Sequence, residues 1–325
     1  MRIILDCDPG NGIPATDVDD GLAIALALAS PDIELEAITI VSGNTPRDVG
    51  YAVARTMMDS LGLSIPVYAG AATALVESDI PWTERRNAKA SDASIGNIWD
   101  GVPTPGHYSP NGEFTAAAEI VRRVSAAPGE VTLVAVGPLT NIAHALQLYP
   151  QLAQEAAEIV IMGGAFEVPG FLQELNFGID PEAARVVLAS GANITLVPLD
   201  VTSKTLLTQH DLDRLETAQT PLSRYLVETT RPWIAYCETS RGQSGCWLHD
   251  PLAVAVLIDR SIATVEDWTV DVEVSGLARS RPIKWRANEL RMSAGLSLPN
   301  RSPIKVLTDV NNEKLVTLML SLLSS

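Results

Sequence analysis

Cysteine, basic residues and aromatic residues are all scarce in this chain. Only three cysteines occur in 325 residues, Cys7, Cys237 and Cys246. An odd, scattered set with no C-x-x-C pair excludes a disulfide framework and points to a reducing compartment. Lys and Arg number 23 against 39 Asp and Glu, for a formal net charge of −16 and a pI near 4.6. Affinity for nucleic acid comes from Lys and Arg displacing counterions, so no nucleic-acid partner is expected. No stretch reaches the roughly 18 uncharged apolar residues of a membrane span. Met1 to Leu5 also runs straight into Asp6 without an apolar signal region, so the expected compartment is the cytoplasm, away from membranes. Neither repeats nor low-complexity tracts are visible.

Hydrophobic residues make up 46% of the chain and charged ones 19%. With mean hydropathy at +0.16, the chain is too apolar to be disordered. Its length permits one large α/β domain or two ordinary ones. Ile3–Leu5, Leu35–Val41, Val131–Val136, Ile159–Met162 and Ile194–Val197 are short runs rich in Ile and Val, as in parallel strands buried on both faces. Helical patterns lie between them. Asp19–Ala29 stops at Ser30-Pro31, Asp48–Leu61 at Gly62, and Thr115–Ala127 at Pro128-Gly129, while Asn141–Leu148 follows Thr140 as a cap. This alternation predicts one α/β domain over 1–325, built on a mostly parallel, doubly wound, Rossmann-like sheet. Two insertions, about 72–114 (loop-rich) and about 199–248 (helical), are expected near the active-site edge. The tail resumes with strands Trp268–Val274 and Ile304–Asp309 and a helix near Glu313–Leu323. Ligands of such sheets bind beyond the carboxyl ends of the strands.

The acids collect at that edge. The first strand ends Asp6-Cys7-Asp8-Pro9-Gly10, and Asp19-Asp20 open the next helix. A helix N-terminus accommodates one or two carboxylates through its dipole and free N–H groups. Four converging carboxylates repel one another unless a cation sits among them, and hard oxygen ligands select calcium or magnesium. A capped helix with solvated acids is the competing reading. A D-x-D at the end of a first strand also suggests a haloacid-dehalogenase-type phosphatase, which Pro9-Gly10 and the Asp19-Asp20 pair fit poorly. Later strand ends carry Asn44, Gly137-Pro138-Leu139-Thr140-Asn141, Met162-Gly163-Gly164, Glu174-Leu175-Asn176 and His249-Asp250-Pro251. Taken singly, these read as turns or helix caps, Asp180-Pro181 and Asp250-Pro251 among them.

Taken together and in order, they resemble the inosine–uridine-preferring nucleoside hydrolase family over nearly the whole chain. The family's D-x-D-P-G-x-D-D-A-x-A-I is matched by Asp6 to Gly10, then Val18-Asp19-Asp20-Gly21-Leu22-Ala23-Ile24. Gly137 to Ala143, Met162 to Gly164, Glu174 to Asn176, Asp180 to Ala184, His249 to Ala255 and Val270 to Val274 follow in register. The resemblance implies hydrolysis of the N-glycosidic bond of a ribonucleoside, purine or pyrimidine, to ribose and free base, in nucleoside salvage. It implies a calcium ion held by Asp8, Asp20, Asp250 and the carbonyl of Val136, with Asp8 taking the proton from a calcium-bound water. Asp19, Asn44, Glu174, Asn176 and Asp250 would hold the ribose, with Glu174 at the 5′-hydroxyl, and His249 would stand near the leaving base as a catalytic residue. A homodimer or homotetramer is the family's expected assembly.

The chain departs from the pattern in three places. Asn11 to Asp17 adds seven residues between Gly10 and Val18, and Asp17 is expected to be solvated. The family's H-G-x-x-G is replaced by Asn97-Ile98-Trp99-Asp100-Gly101, and the stretch from Glu167 to Gln173 is shortened. In the region before His249, Tyr236, Arg241 and Gln243 are candidates to hydrogen-bond the base, and Trp233, Trp247 and Trp99 to stack on it, with core packing as the competing reading for the aromatics. Two further functions stay open: a hydrolase for a modified N-riboside, and a catalytically silent ribose- or nucleoside-binding protein that retains the metal site.

Overall fold

The computed structural model describes residues 1–78, 80–90, 95–110, 112, 115–290, 295 and 297–325. Nine strands form one sheet. In spatial order they are β3 (Val67–Ala69), β2 (Glu34–Ile40), β1 (Arg2–Cys7), β4 (Val131–Ala135), β5 (Glu158–Met162), β6 (Ile194–Val197), β9 (Ile304–Val310), β7 (Ala263–Val272) and β8 (Pro282–Trp285). All pairings from β3 to β9 are parallel, and β7 alone runs against the rest, pairing antiparallel with both β9 and β8. This is the mostly parallel α/β sheet expected from the apolar runs.

Side-chain alternation divides the apolar interior between the two faces. Ile3, Leu5 and Cys7 pack with α1 (Asp19–Ala29), α2 (Arg47–Ser60), α11 (Pro221–Arg241), α12 (His249–Ile258) and α13 (Asn312–Leu323). Ile4 and Ala37 face α4 (Thr115–Ala126), α5 (Thr140–Leu148), the short α6 (Leu152–Glu155) and α8 (Pro181–Leu188). The chain leaves β1 toward β2 and leaves β4 toward β5, in opposite directions, which opens a crevice between the carboxyl ends of β1 and β4. In register, Cys7 faces Ile40 and Asp6 faces Ala135. The residues that follow, Asp8 and Val136, therefore emerge side by side at that crevice.

Most helix expectations hold to within a residue, and α1 coincides. Thr140, expected to cap α5, lies inside it, and its hydroxyl donates to Asp180 Oδ2 at 2.7 Å. Asp180 caps α8 as expected, accepting from Ala183 N at 2.9 Å with Pro181 in the first turn. Asp250 is not a cap: Leu248 holds that position and Asp250 is buried in the first turn of α12. The stretch read as loop-rich contains α3 (Ile80–Ala90). Pro81 stands in its first turn, where a missing N–H costs nothing. Residues 79, 91–94, 111, 113 and 114 of that stretch lie outside the described residues. The later insertion is helical as expected, with α9 (Leu199–Thr202), α10 (Gln209–Glu216) and α11, and α7 (Leu175–Ile179) precedes α8.

Candidate active site

A cleft of about 790 Å³ opens at the carboxyl ends of β1, β4 and β5. Its floor is acidic. Asp8, Asp19, Asp20 and Asp250 line it and are each at most 5% exposed. The last three bring one carboxylate oxygen apiece within 4.8 Å of one another. Strand and helix are tied directly, since the Asp8 backbone N–H donates to Asp20 Oδ1 at 2.8 Å. Asp8 Oδ2 accepts from the backbone N–H of Asn44, which follows β2. Behind Asp8, Asp6 is held by the Thr39 hydroxyl and by Asn141 Nδ2 at 2.8 Å.

Burial pushes the Asp8 carboxyl up to about 7, and it pushes Asp19, Asp20 and Asp250 well above the ordinary carboxylate range. Neighbouring carboxylates raise all four further. Buried acids at this spacing favour either shared protons or a cation. The donors are all hard oxygens, which suits a divalent metal. The Val136 carbonyl also lines the cleft, and Asn176 Nδ2 donates to it at 2.7 Å. Asn176 Nδ2 donates as well to Met162 O at 3.1 Å, which turns its Oδ1 away from both carbonyls as an acceptor. This cluster can hold a metal ion.

Glu174 is the N-cap of α7. Its carboxylate accepts from Gly164 N at 2.7 Å, Asn176 N at 2.6 Å and Phe177 N at 3.0 Å. Burial raises this carboxyl above its ordinary range, and the backbone N–H groups of Phe177, Asn176, Gly164 and Leu175 oppose the rise. His249 Nδ1 is 2.7 Å from the Thr202 hydroxyl, which leaves Nε2 for the cleft. Burial lowers the imidazole to about 4, and Arg241 adds to this while Asp17 opposes it. The ring meets Trp247 edge-on at 5.5 Å, and Trp247 meets Phe171 at 6.2 Å. These three make an aromatic wall beside the acids.

Of the base-side candidates, Arg241, Gln243 and Trp247 line the cleft. Trp233, Tyr236 and Trp99 do not. Trp233 and Tyr236 are 1% and 5% exposed and stack at 5.6 Å, with Trp99 edge-on to Tyr236 at 5.7 Å. This is core packing, and its effect on the cleft is indirect: the Arg241 guanidinium lies 4.5 Å from the Trp233 ring centre, a cation–π contact that orients it. Asn44 lines the cleft, but its side-chain amide pairs with the backbone of Asp17, accepting from its N–H at 3.3 Å and donating to its carbonyl at 3.0 Å.

Sequence reasoning missed several lining residues. Asp17, expected in solvent, is half-buried in the cleft wall. Trp82, Arg85 and Arg86 line the cleft from α3. Their i, i+3, i+4 spacing marks one helix face and was the available signal. Phe171 and Leu172 also line it, and the sequence of their loop gave no comparable sign.

The family model described as inosine-uridine preferring nucleoside hydrolase matches residues 3–317. A pyrimidine-specific ribonucleoside hydrolase RihA of Salmonella arizonae is 33% identical over 324 residues, covering 98% of this chain and 97% of that protein. A probable uridine nucleosidase 2 of Arabidopsis thaliana is 30% identical over 326 residues, covering 98% and 96%. Among solved structures, a purine-preferring ribonucleoside hydrolase from Gardnerella vaginalis superposes with a TM-score of 0.83 at 30% identity, covering 100% of this chain and 98% of that one. The plant nucleoside hydrolase PpNRh1 also gives 0.83, at 27% identity, covering 100% and 99%. The chain is therefore an enzyme of the inosine-uridine preferring nucleoside hydrolase family.

Proposed function

We propose that residues 1–325 work as one domain that hydrolyses the N-glycosidic bond of a ribonucleoside to ribose and free base, with calcium held by Asp8, Asp20, Asp250 and the Val136 carbonyl. The observation that carries this reading is the convergence of buried carboxylates from β1, α1 and α12 beside an aromatic wall. Calcium, when bound, polarises water and clamps vicinal hydroxyls. Asp8, fixed through Oδ2 by the Asn44 N–H, accepts the proton of the attacking water through Oδ1. Asp19 and the Oδ1 of Asn176 hold ribose hydroxyls, and Glu174 takes the 5′-hydroxyl. Bond cleavage builds positive charge on the ribose ring, and the surrounding carboxylates stabilise it. Trp247 offers a flat face to the base and Phe171 an inclined one, tilted 52° to it, with His249, Arg241 and Gln243 at the edge. The names of the relatives divide between pyrimidine and purine, so no base preference is carried over from them.

The test is ribose release from inosine, adenosine, guanosine, uridine and cytidine, with 2′-deoxy controls, before and after chelation and calcium readdition. Release from ribonucleosides that is lost with the metal and restored by calcium is the expected result. No release from folded, calcium-loaded protein overturns it. The inserted loop, which alters the cleft wall, favours a modified N-riboside as the second reading in that event.

A further inference from the structure

The family pattern D-P-G-x-D-D closes directly on its helix, whereas this chain inserts Asn11 to Asp17 before Val18. The insertion is packed into the fold rather than left in solvent. Asn11, 2% exposed, donates to the Thr229 hydroxyl of α11 at 3.0 Å. Gly12, at φ +82°, lies against Pro103, whose carbonyl oxygen would be 2.4 Å from any Cβ at that position. Ala15 is buried at φ 57°. The loop ends with Asp17, pinned through its backbone by the Asn44 amide, while its Oδ1 accepts from Val18 N at 2.8 Å. So held, a carboxylate oxygen of Asp17 comes within 4.8 Å of both an Asp19 oxygen and a His249 ring nitrogen, in the cleft wall.

This places Asp17 where the acidic floor meets the aromatic wall, because His249 is the residue packed against Trp247. A flat heterocycle stacked on Trp247, with Phe171 tilted 52° to that ring, turns an edge toward His249 and Asp17. The Asp17 carboxylate oxygens accept hydrogen bonds, so they pair with an N–H on that edge and not with a carbonyl. Asp17 thus faces His249 on one side and Asp19 on the other. Resting on the proposed hydrolysis, we infer that Asp17 is a base-recognising residue supplied by the inserted loop, and that it favours ribosides whose base presents an N–H donor to the His249 side of the cleft.

The test compares Asp17→Ala and Asp17→Asn with the wild-type, calcium-loaded enzyme, taking the ratio of kcat/KM values, variant to wild type, for each substrate separately so that leaving-group chemistry cancels. The panel is adenosine, inosine and purine riboside, whose base lacks those N–H donors, together with uridine and 3-methyluridine. One hydrogen bond to a charged group sets the scale at roughly 10- to 100-fold. Asp17→Ala is expected to lose at least about tenfold more on the preferred donor-bearing base than on purine riboside or 3-methyluridine. Asp17→Asn keeps an acceptor for Val18 N–H, so its fold is retained if the alanine variant melts. Since its amide can also donate, it is expected to narrow the gap between amino and oxo bases. An equal loss on every substrate overturns the inference and assigns Asp17 to the ribose or to Asp19. Unchanged ratios overturn it too and leave the loop as a wall. If the wild-type enzyme releases no ribose from any substrate, the proposed hydrolysis fails and this inference with it. If it turns over and the variant-to-wild-type ratios are the same for every substrate, only the inference fails.

Discussion

Gly43 tests how tightly the position of Asp8 is set. A Cβ at Gly43 would stand 1.9 Å from Asp8 Oδ2 and 2.7 Å from Pro138 Cδ. Real Cβ contacts do not fall below 3.0 Å, so Gly43→Ala requires a displacement of about 1.1 Å, the gap between 1.9 and 3.0 Å. The Pro138 ring blocks relief on its side, which makes the carboxylate the group that yields. The same oxygen accepts from Asn44 N–H, so the shift also breaks the bond that orients it. A misplacement of this size costs about 100-fold in rate, equivalent to about 2.7 kcal/mol of transition-state stabilisation. Overpacking itself costs about 1–3 kcal/mol of stability, which a chain of this size survives. The assay is kcat/KM for ribose release at saturating calcium, with calcium affinity from titration calorimetry and melting temperature alongside. Gly112→Ala, whose Cβ would meet only Thr115 Oγ1, at 3.6 Å, among the described residues, is the control. Gly43→Ala activity within threefold of wild type, at unchanged calcium affinity, would refute the claim that this contact fixes Asp8.

Asp20→Asn keeps an acceptor for the Asp8 N–H and removes a buried charge. Calcium affinity should fall by about 100-fold or more, while the metal-free variant melts no lower than metal-free wild type, and a clear drop in its melting temperature would contradict the repulsion described here. In metal-free wild type, burial raises Asp6 and Asp8 from 3.8 to about 7, and Asp19, Asp20 and Asp250 also rise. The folded form therefore binds more protons than the unfolded chain, and stability declines as pH rises from about 4 through 7. Melts from pH 5 to 8 should show this decline, and calcium, which favours the ionised carboxylates, should flatten it; a metal-free melting temperature that climbs with pH would be the contrary result. Trp233→Ala should cost about 3–5 kcal/mol of stability, with any change in base selection limited to what Arg241 loses in orientation. Trp247→Ala should raise KM about tenfold, as expected for loss of one stacking surface, with little change in melting temperature; the two outcomes exchanged would reverse their assignments.

The sheet was legible because strands buried on both faces must be almost wholly apolar, and nothing else in the chain produces Val131–Val136 or Ile159–Met162. The acids of the floor were legible because they stand at strand ends and at helix starts, where topology alone makes them neighbours. What escaped was the wall. Trp233 and Trp247 are both aromatic residues in the same insertion, yet one is buried in the core and the other lines the cleft, because side-chain direction over a helix end depends on tertiary packing. α3 was hidden by its own proline, whose place in a first turn resembles loop punctuation. Asp17 was read as solvated because an inserted loop carries no periodicity, and it takes tertiary contacts such as the Asn44 amide to fix where its end points.

That amide gives the molecule a mechanical linkage. Asn44 carries Asp8 on its main chain and Asp17 on its side chain, so one residue is a common bearing for the water-facing carboxylate and the end of the inserted loop. A strain introduced anywhere in the loop is passed through that bearing to the reacting centre. Slack at Asn44 would loosen both ends together. An Asn44→Ala enzyme should consequently become slower and also less selective among ribosides, its rate and its discrimination degraded in step.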